Sequence, residues 1–81
     1  VNKLTLFGKS SGCSLCEGWK RKLTALKIPF TFVDILTEDG LAEMAWNNIG
    51  RIPALLIDDQ RFEEVSPAEI SSEKLLELTK L

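Results

Sequence analysis

The hydrophobic pattern changes period several times along the chain, and each change marks an element. Lys3 to Phe7 alternates polar and apolar residues, the two-residue period of a half-buried strand. Gly8 to Gly12 is a small, polar loop with two glycines. From Ser14 the period lengthens. Cys16, Trp19, Leu23 and Leu26 recur at three- and four-residue steps, which is one face of a helix. Lys20, Arg21, Lys22 and Lys27 fill its remaining surface and last turns, where cations suit the helix dipole, and Pro29 is expected to end it. Phe30 to Ile35 is β-branched and aromatic and reads as a second strand.

Thr37, Glu38 and Asp39 then supply cap and first-turn chemistry for a second helix. Leu41, Met44, Ala45 and Ile49 are expected to line its buried side, with Gly50 closing it. Ala54 to Asp58 is a nearly continuous apolar run, as a central strand requires. A turn at Asp58-Asp59-Gln60 leads to a short partner strand, Arg61 to Val65. Ser66-Pro67-Ala68-Glu69 has the form of a capping box, and Ser71 and Ser72 offer a second start. The last helix therefore begins between Ser66 and Ser72 and runs to about Lys80, with Leu75, Leu76 and Leu78 as its apolar residues.

The order β-α-β-α-β-β-α predicts an α/β domain. The opening βαβ unit implies parallel pairing with a right-handed crossover, and the last two strands form a hairpin. Together they give a four-stranded mixed sheet with helices on both faces. No repeat, linker or low-complexity tract divides the 81 residues, so residues 1–81 are one domain. A composition of 44% hydrophobic and 27% charged residues argues against disorder. The net charge of −2, without a clustered basic run, argues against a nucleic-acid partner. No apolar run approaches the ~18 residues of a membrane span. With no charged-then-apolar leader in the chain, the expected location is cytoplasmic, and the expected state is a monomer.

The chemistry of the chain centres on two cysteines, in a sequence with no histidine. Cys13-Ser14-Leu15-Cys16 lies at the end of a loop and the start of a helix, directly after a strand. Residues three apart at a helix start share a face, within the ~4.4–6.8 Å between Cα atoms that a disulfide spans. The free N–H groups and positive dipole end there favour a thiolate. A cysteine of pKa near ~8.5 falls to ~3.5–7.5 in such settings. Cys13 follows Gly12 at the exposed edge, whereas Cys16 opens the apolar stripe. Cys13 is therefore the expected attacking thiol and Cys16 the resolving one. Two other readings stand beside this one. A zinc or iron–sulfur carrier would need a second chain to complete its ligands. A structural disulfide would close too small a loop to stabilise much.

Arg51-Ile52-Pro53 comes just before the buried strand, where a proline marks the first strand residue. Together these pieces resemble the thioredoxin/glutaredoxin superfamily, and the small glutaredoxin-like proteins in particular. The matching parts are the opening strand, Cys13 to Cys16 heading a helix, Val33-Asp34-Ile35 and Ile52-Pro53, and they span nearly the whole chain. The resemblance implies a thioredoxin-like fold and a cis Pro53 facing the dithiol. It also implies an Ile52 backbone that pairs with a bound peptide or glutathione. Lys9 resembles the family's lysine upstream of the dithiol, one residue further away; Lys9 and Arg51 each either meet an acidic group of the substrate or simply face solvent.

The chain departs from the family at two places. Its Cys-Ser-Leu-Cys has no proline between the cysteines, and Glu63-Glu64 lies where glutaredoxins carry Gly-Gly. Two carboxylates there repel the carboxylate of glutathione, which tilts the expected substrate toward protein disulfides. No bound cofactor is expected. The chain carries no nucleotide fingerprint, so turnover needs an external electron donor, a reductase or glutathione. A non-catalytic peptide-binding module on the same fold is the main alternative. Trp19 and Trp46 are both expected as core or half-buried packing residues.

Overall fold

The structure, a computed structural model, describes residues 3–58 and 60–79. Asp59 of the expected turn and Lys80 at the expected end of the last helix lie outside the described residues.

Four strands, β1 (Leu4–Gly8), β2 (Thr31–Asp34), β3 (Ala54–Ile57) and β4 (Gln60–Glu63), form one sheet in the order β2-β1-β3-β4. β1 and β2 are parallel, and β3 is antiparallel to both β1 and β4. Three helices complete the chain: α1 (Ser14–Ala25), α2 (Glu38–Trp46) and α3 (Ser72–Thr79). This is the mixed α/β arrangement of a thioredoxin-like fold. No described helix is long and apolar enough to cross a membrane.

Alternation along β1 and β3 divides the core between the two faces of the sheet. Leu4, Leu6, Leu55 and Ile57 pack against Trp19 and Leu23 of α1 and Leu75 of α3. Phe7 and Ala54 point the other way, toward Ile49 and Met44. The larger core thus lies under α1 and α3, and the smaller one under α2.

Helix ends depart from the expected positions, and the two departures share a cause. α1 stops at Ala25 rather than running to Pro29, and α2 stops at Trp46 rather than at Gly50. At each end a residue that is not glycine takes a left-handed conformation, Lys27 at φ 58° and Asn48 at φ 56°. The amide of the next residue then reaches back five positions, Ile28 to Leu23 and Ile49 to Met44. The left-handed residue itself bonds Thr24 or Ala45. Both are Schellman caps, and in both the following isoleucine drops into the core. A buried isoleucine after the cap, rather than a glycine, is what ends these helices.

The third helix takes the later of its two possible starts. Ser71 Oγ accepts the Lys74 amide at 3.1 Å, as an N-cap does. Ser66 to Glu69 forms a separate turn, closed by Glu69 N–H on Ser66 O and by Ser66 N–H on the Glu69 carboxylate. Leu75 is buried, and Leu76 is exposed.

The expected buried side of α2 is wrong in part. Leu41 and Ala45 face solvent, Met44 is half-buried, and Trp46 is 86% exposed rather than packed. The helix meets the fold through Gly40 instead. A Cβ built there would run into the backbone carbonyl of Asp34. Thr37 ties the same corner, its Oγ1 accepting from Gly40 N at 2.9 Å and donating to Asp34 O at 2.8 Å. Glycine costs a helix about 1 kcal/mol relative to alanine, so Gly40→Ala would stabilise an isolated α2. In the folded chain the added methyl meets backbone that cannot rotate away, and the substitution is expected to lower the urea midpoint measured by circular dichroism. An unchanged or higher midpoint would mean that α2 can slide off this corner at little cost.

Candidate active site

β1 ends at Gly8, and the chain leaves the sheet through residues 9–12 to reach α1. Gly12 at φ 73° turns it inward, and Cys13 becomes the N-cap of the helix. The cap group is its own sulfur, Cys13 Sγ accepting the Cys16 amide at 3.2 Å. Cys13 and Cys16 are joined as a disulfide with their Cα atoms 5.3 Å apart, inside the window that such a bond requires.

The two sulfurs have different surroundings. Cys13 is partly exposed, whereas Cys16 is 0% exposed. Cys16 rests on Gly8, where an added Cβ would collide with Cys16 Sγ, and the Phe32 ring lies beside the same spot. Strand β1 can carry the helix this close only because its last residue has no side chain.

Register brings Pro53 to the same place. The β1–β3 ladder runs to Phe7 opposite Ala54, so the register carried one step further sets Pro53 across from Gly8, the residue on which Cys16 rests. The Ile52–Pro53 bond is cis, and Pro53 is buried. Its carbonyl accepts the Val65 amide at 3.3 Å, and the Val65 carbonyl accepts Trp19 Nε1 at 2.8 Å. Trp19 lies one turn after Cys16, so this pair of bonds links the cysteine helix to the proline.

Asp34 holds the loop from the other side. Its Oδ1 accepts the amides of Ser10 at 3.2 Å and Leu36 at 3.0 Å. Hydrogen bonds from the Ser10 side chain and then the Leu36 amide keep its carboxyl below the ordinary value of 3.8, because both favour the charged form. The carboxylate thus stays ionised through the neutral range and ties the cysteine loop to the end of β2.

The remaining expected residues are less gathered. Ile52 is half-buried and packs on the smaller core. Arg51 is exposed and bonds Glu64 at 2.9 Å. Glu63 accepts the Gly50 amide, so both acidic side chains are spent on the loop before Pro53. Lys9 lies exposed in the cysteine loop. Lys22, expected on the surface, reaches across instead to the carbonyls of Pro67 and Ile70.

The site roles of Gly8, Asp34 and Val65 are not among the expectations drawn from the sequence. Gly8 and Asp34 carried a signal: a glycine closing a strand before a cysteine loop, and an aspartate closing the parallel strand before a turn. Val65 acts through its backbone, which no side-chain pattern reveals.

Residues 4–62 match the family described as Glutaredoxin. No curated protein and no solved structure matches the chain.

Proposed function

The chain belongs to the glutaredoxin family, and from that premise we propose that it is a thiol–disulfide oxidoreductase, with Cys13 attacking and Cys16 resolving. The observation that carries this reading is the unequal placement of the pair: one sulfur partly exposed at a helix N-terminus, the other sealed beneath it.

In the reduced protein, the Cys16 N–H and the helix dipole favour a thiolate on Cys13. That thiolate attacks one sulfur of a substrate disulfide. A Cys13–substrate bond forms, the substrate S–S bond breaks, and the departing sulfur takes up a proton. The Cys16 thiolate then attacks Cys13 Sγ, releasing the second substrate thiol and leaving Cys13–Cys16 oxidised. Two electrons from an external thiol or dithiol reductase restore the pair.

The partner we propose is a protein disulfide rather than glutathione. Glu64 supplies Arg51 with a carboxylate, and Glu63 occupies the Gly50 amide. A tripeptide with two carboxylates would meet the net negative charge that Glu63 and Glu64 leave beside Arg51. Ile52, just before the start of β3, would pair its backbone with an extended substrate segment. The proposed setting is a cytoplasmic monomer.

Titration of the pair in defined dithiol/disulfide buffers, read by thiol labelling and Trp fluorescence, tests this reading. The expected result is one reversible two-electron transition within roughly −270 to −120 mV. No intramolecular disulfide, or one far below about −300 mV, would end the dithiol reading in favour of a metal carrier or a binding module.

A further inference from the structure

α2 turns Gly40 and Met44 toward the sheet and leaves its opposite side uncovered. Positions 39, 42, 43 and 46 have the i, i+3, i+4, i+7 spacing of a single helical face. In most helices this spacing marks an apolar stripe packed on a core. Here it reads carboxylate, methyl, carboxylate, indole, and all four residues are exposed. Together they line a surface depression of about 500 Å³. Asp39 and Glu43 also wall a neighbouring depression of similar size, which lies over Thr5, Thr31 and Val33 where the short helix leaves the sheet half-covered.

A single exposed apolar side chain is ordinary, but an indole 86% open to water is the largest such exposure among the described residues. Its neighbours decide what it suits. α2 carries Glu38, Asp39 and Glu43 and no Lys or Arg, and none of the three is in an ion pair among the described residues. A guanidinium or ammonium can lie against the Trp46 face while its head meets Asp39 or Glu43 and its methylenes cover Ala42. An acidic partner would be repelled. The face also lies across the sheet from α1, so an occupant leaves Cys13 open.

We propose that the outer face of α2 is a docking site for an arginine- or lysine-bearing segment of a partner protein, gripped at Trp46 between Asp39 and Glu43. This site is independent of the thiol chemistry, and the oxidised chain suffices to test it.

The probe is a fluorescein-labelled peptide of alternating glycine and arginine, with a glycine–glutamate peptide as control, and the readout is anisotropy. The arginine peptide is expected to bind and the glutamate peptide not to. Trp46→Ala and the double variant Asp39→Asn/Glu43→Gln are each expected to weaken binding about tenfold or more. Glu73→Gln/Glu77→Gln removes the same charge from the exposed side of α3 and is expected to leave affinity unchanged. All these side chains are exposed, so the variants should keep the wild-type circular dichroism spectrum. Three results would overturn the proposal. These are no binding of the arginine peptide, equal weakening by the two double variants, and a concentration-dependent dimer that Trp46→Ala abolishes. The second would reduce the effect to net charge, and the third would make a second copy the occupant.

Discussion

Cys13→Ser is expected to reduce disulfide exchange to the uncatalysed background, while Cys16→Ser accumulates a covalent adduct with the substrate through Cys13. The asymmetry follows from position. Serine at the cap can still accept the Cys16 amide, so the helix start survives. What is lost is the sulfur nucleophile, and an alkoxide is not available at neutral pH to replace it. In Cys16→Ser the first attack proceeds, because the partly exposed sulfur is intact. The second attack has no thiolate, so the mixed disulfide persists until an outside thiol resolves it. Mass spectrometry of each variant after incubation with a disulfide peptide reads the outcome directly. An adduct on Cys16 in Cys13→Ser, equal in yield to that on Cys13, would reverse or erase the assigned roles. The 0% exposure of Cys16 over the Gly8 floor stands against that result.

Trp19→Ala is expected to cost about 3–5 kcal/mol, the range for emptying a buried aromatic site. In a domain of this size that is a large part of the total stability of about 5–15 kcal/mol. Trp19 is 0% exposed, touches the larger core, and donates to Val65. Trp19→Phe separates the two contributions. It retains most of the packing and leaves the Val65 carbonyl without its donor, at a cost of about 1–3 kcal/mol. Urea denaturation followed by circular dichroism measures both. If Trp19→Phe matched the wild type in stability, the Trp19–Val65–Pro53 link would hold nothing in place. If Trp19→Ala lost less than about 1 kcal/mol, the core would have closed over the gap.

The sequence pattern reached the fold because the sheet imposes a strict period. Alternation in Lys3 to Phe7 and the apolar run from Ala54 set both faces of the central strands, and βαβ order set the parallel pair. The cysteine pair was legible for the same kind of reason: it is local, three residues apart on a helix start. What escaped was set by contacts distant in the chain. Leu41 and Ala45 have helical spacing, yet Gly40 docks α2, because close approach to Asp34 outweighs apolar area. Trp46, expected as a core or half-buried packing residue, stands 86% exposed because α2 docks through Gly40 and Met44 on its other side. Pro29 and Gly50 are the helix ends that the pattern suggests, whereas buried Ile28 and Ile49 end the helices earlier. Lys22, on an exposed stretch by composition, found carbonyls 45 and 48 residues away.

The core beneath α1 has a further consequence, in the order of synthesis. The match to the family ends at residue 62. Yet Val65, Ile70, Leu75 and Leu78 all pack into the core that holds Trp19, and Lys22 bonds the carbonyls of residues 67 and 70. When β4 has been made, every strand exists but the apolar face of Leu6, Leu23 and Leu55 still lacks its cover. A nascent chain halted there would carry a complete cysteine loop on an open face, suited to chaperone capture and not to packing. Closure waits for the turn at residues 66–69 and the helix that follows. The cysteine pair therefore reaches its final setting only after residues 66–79 have been made.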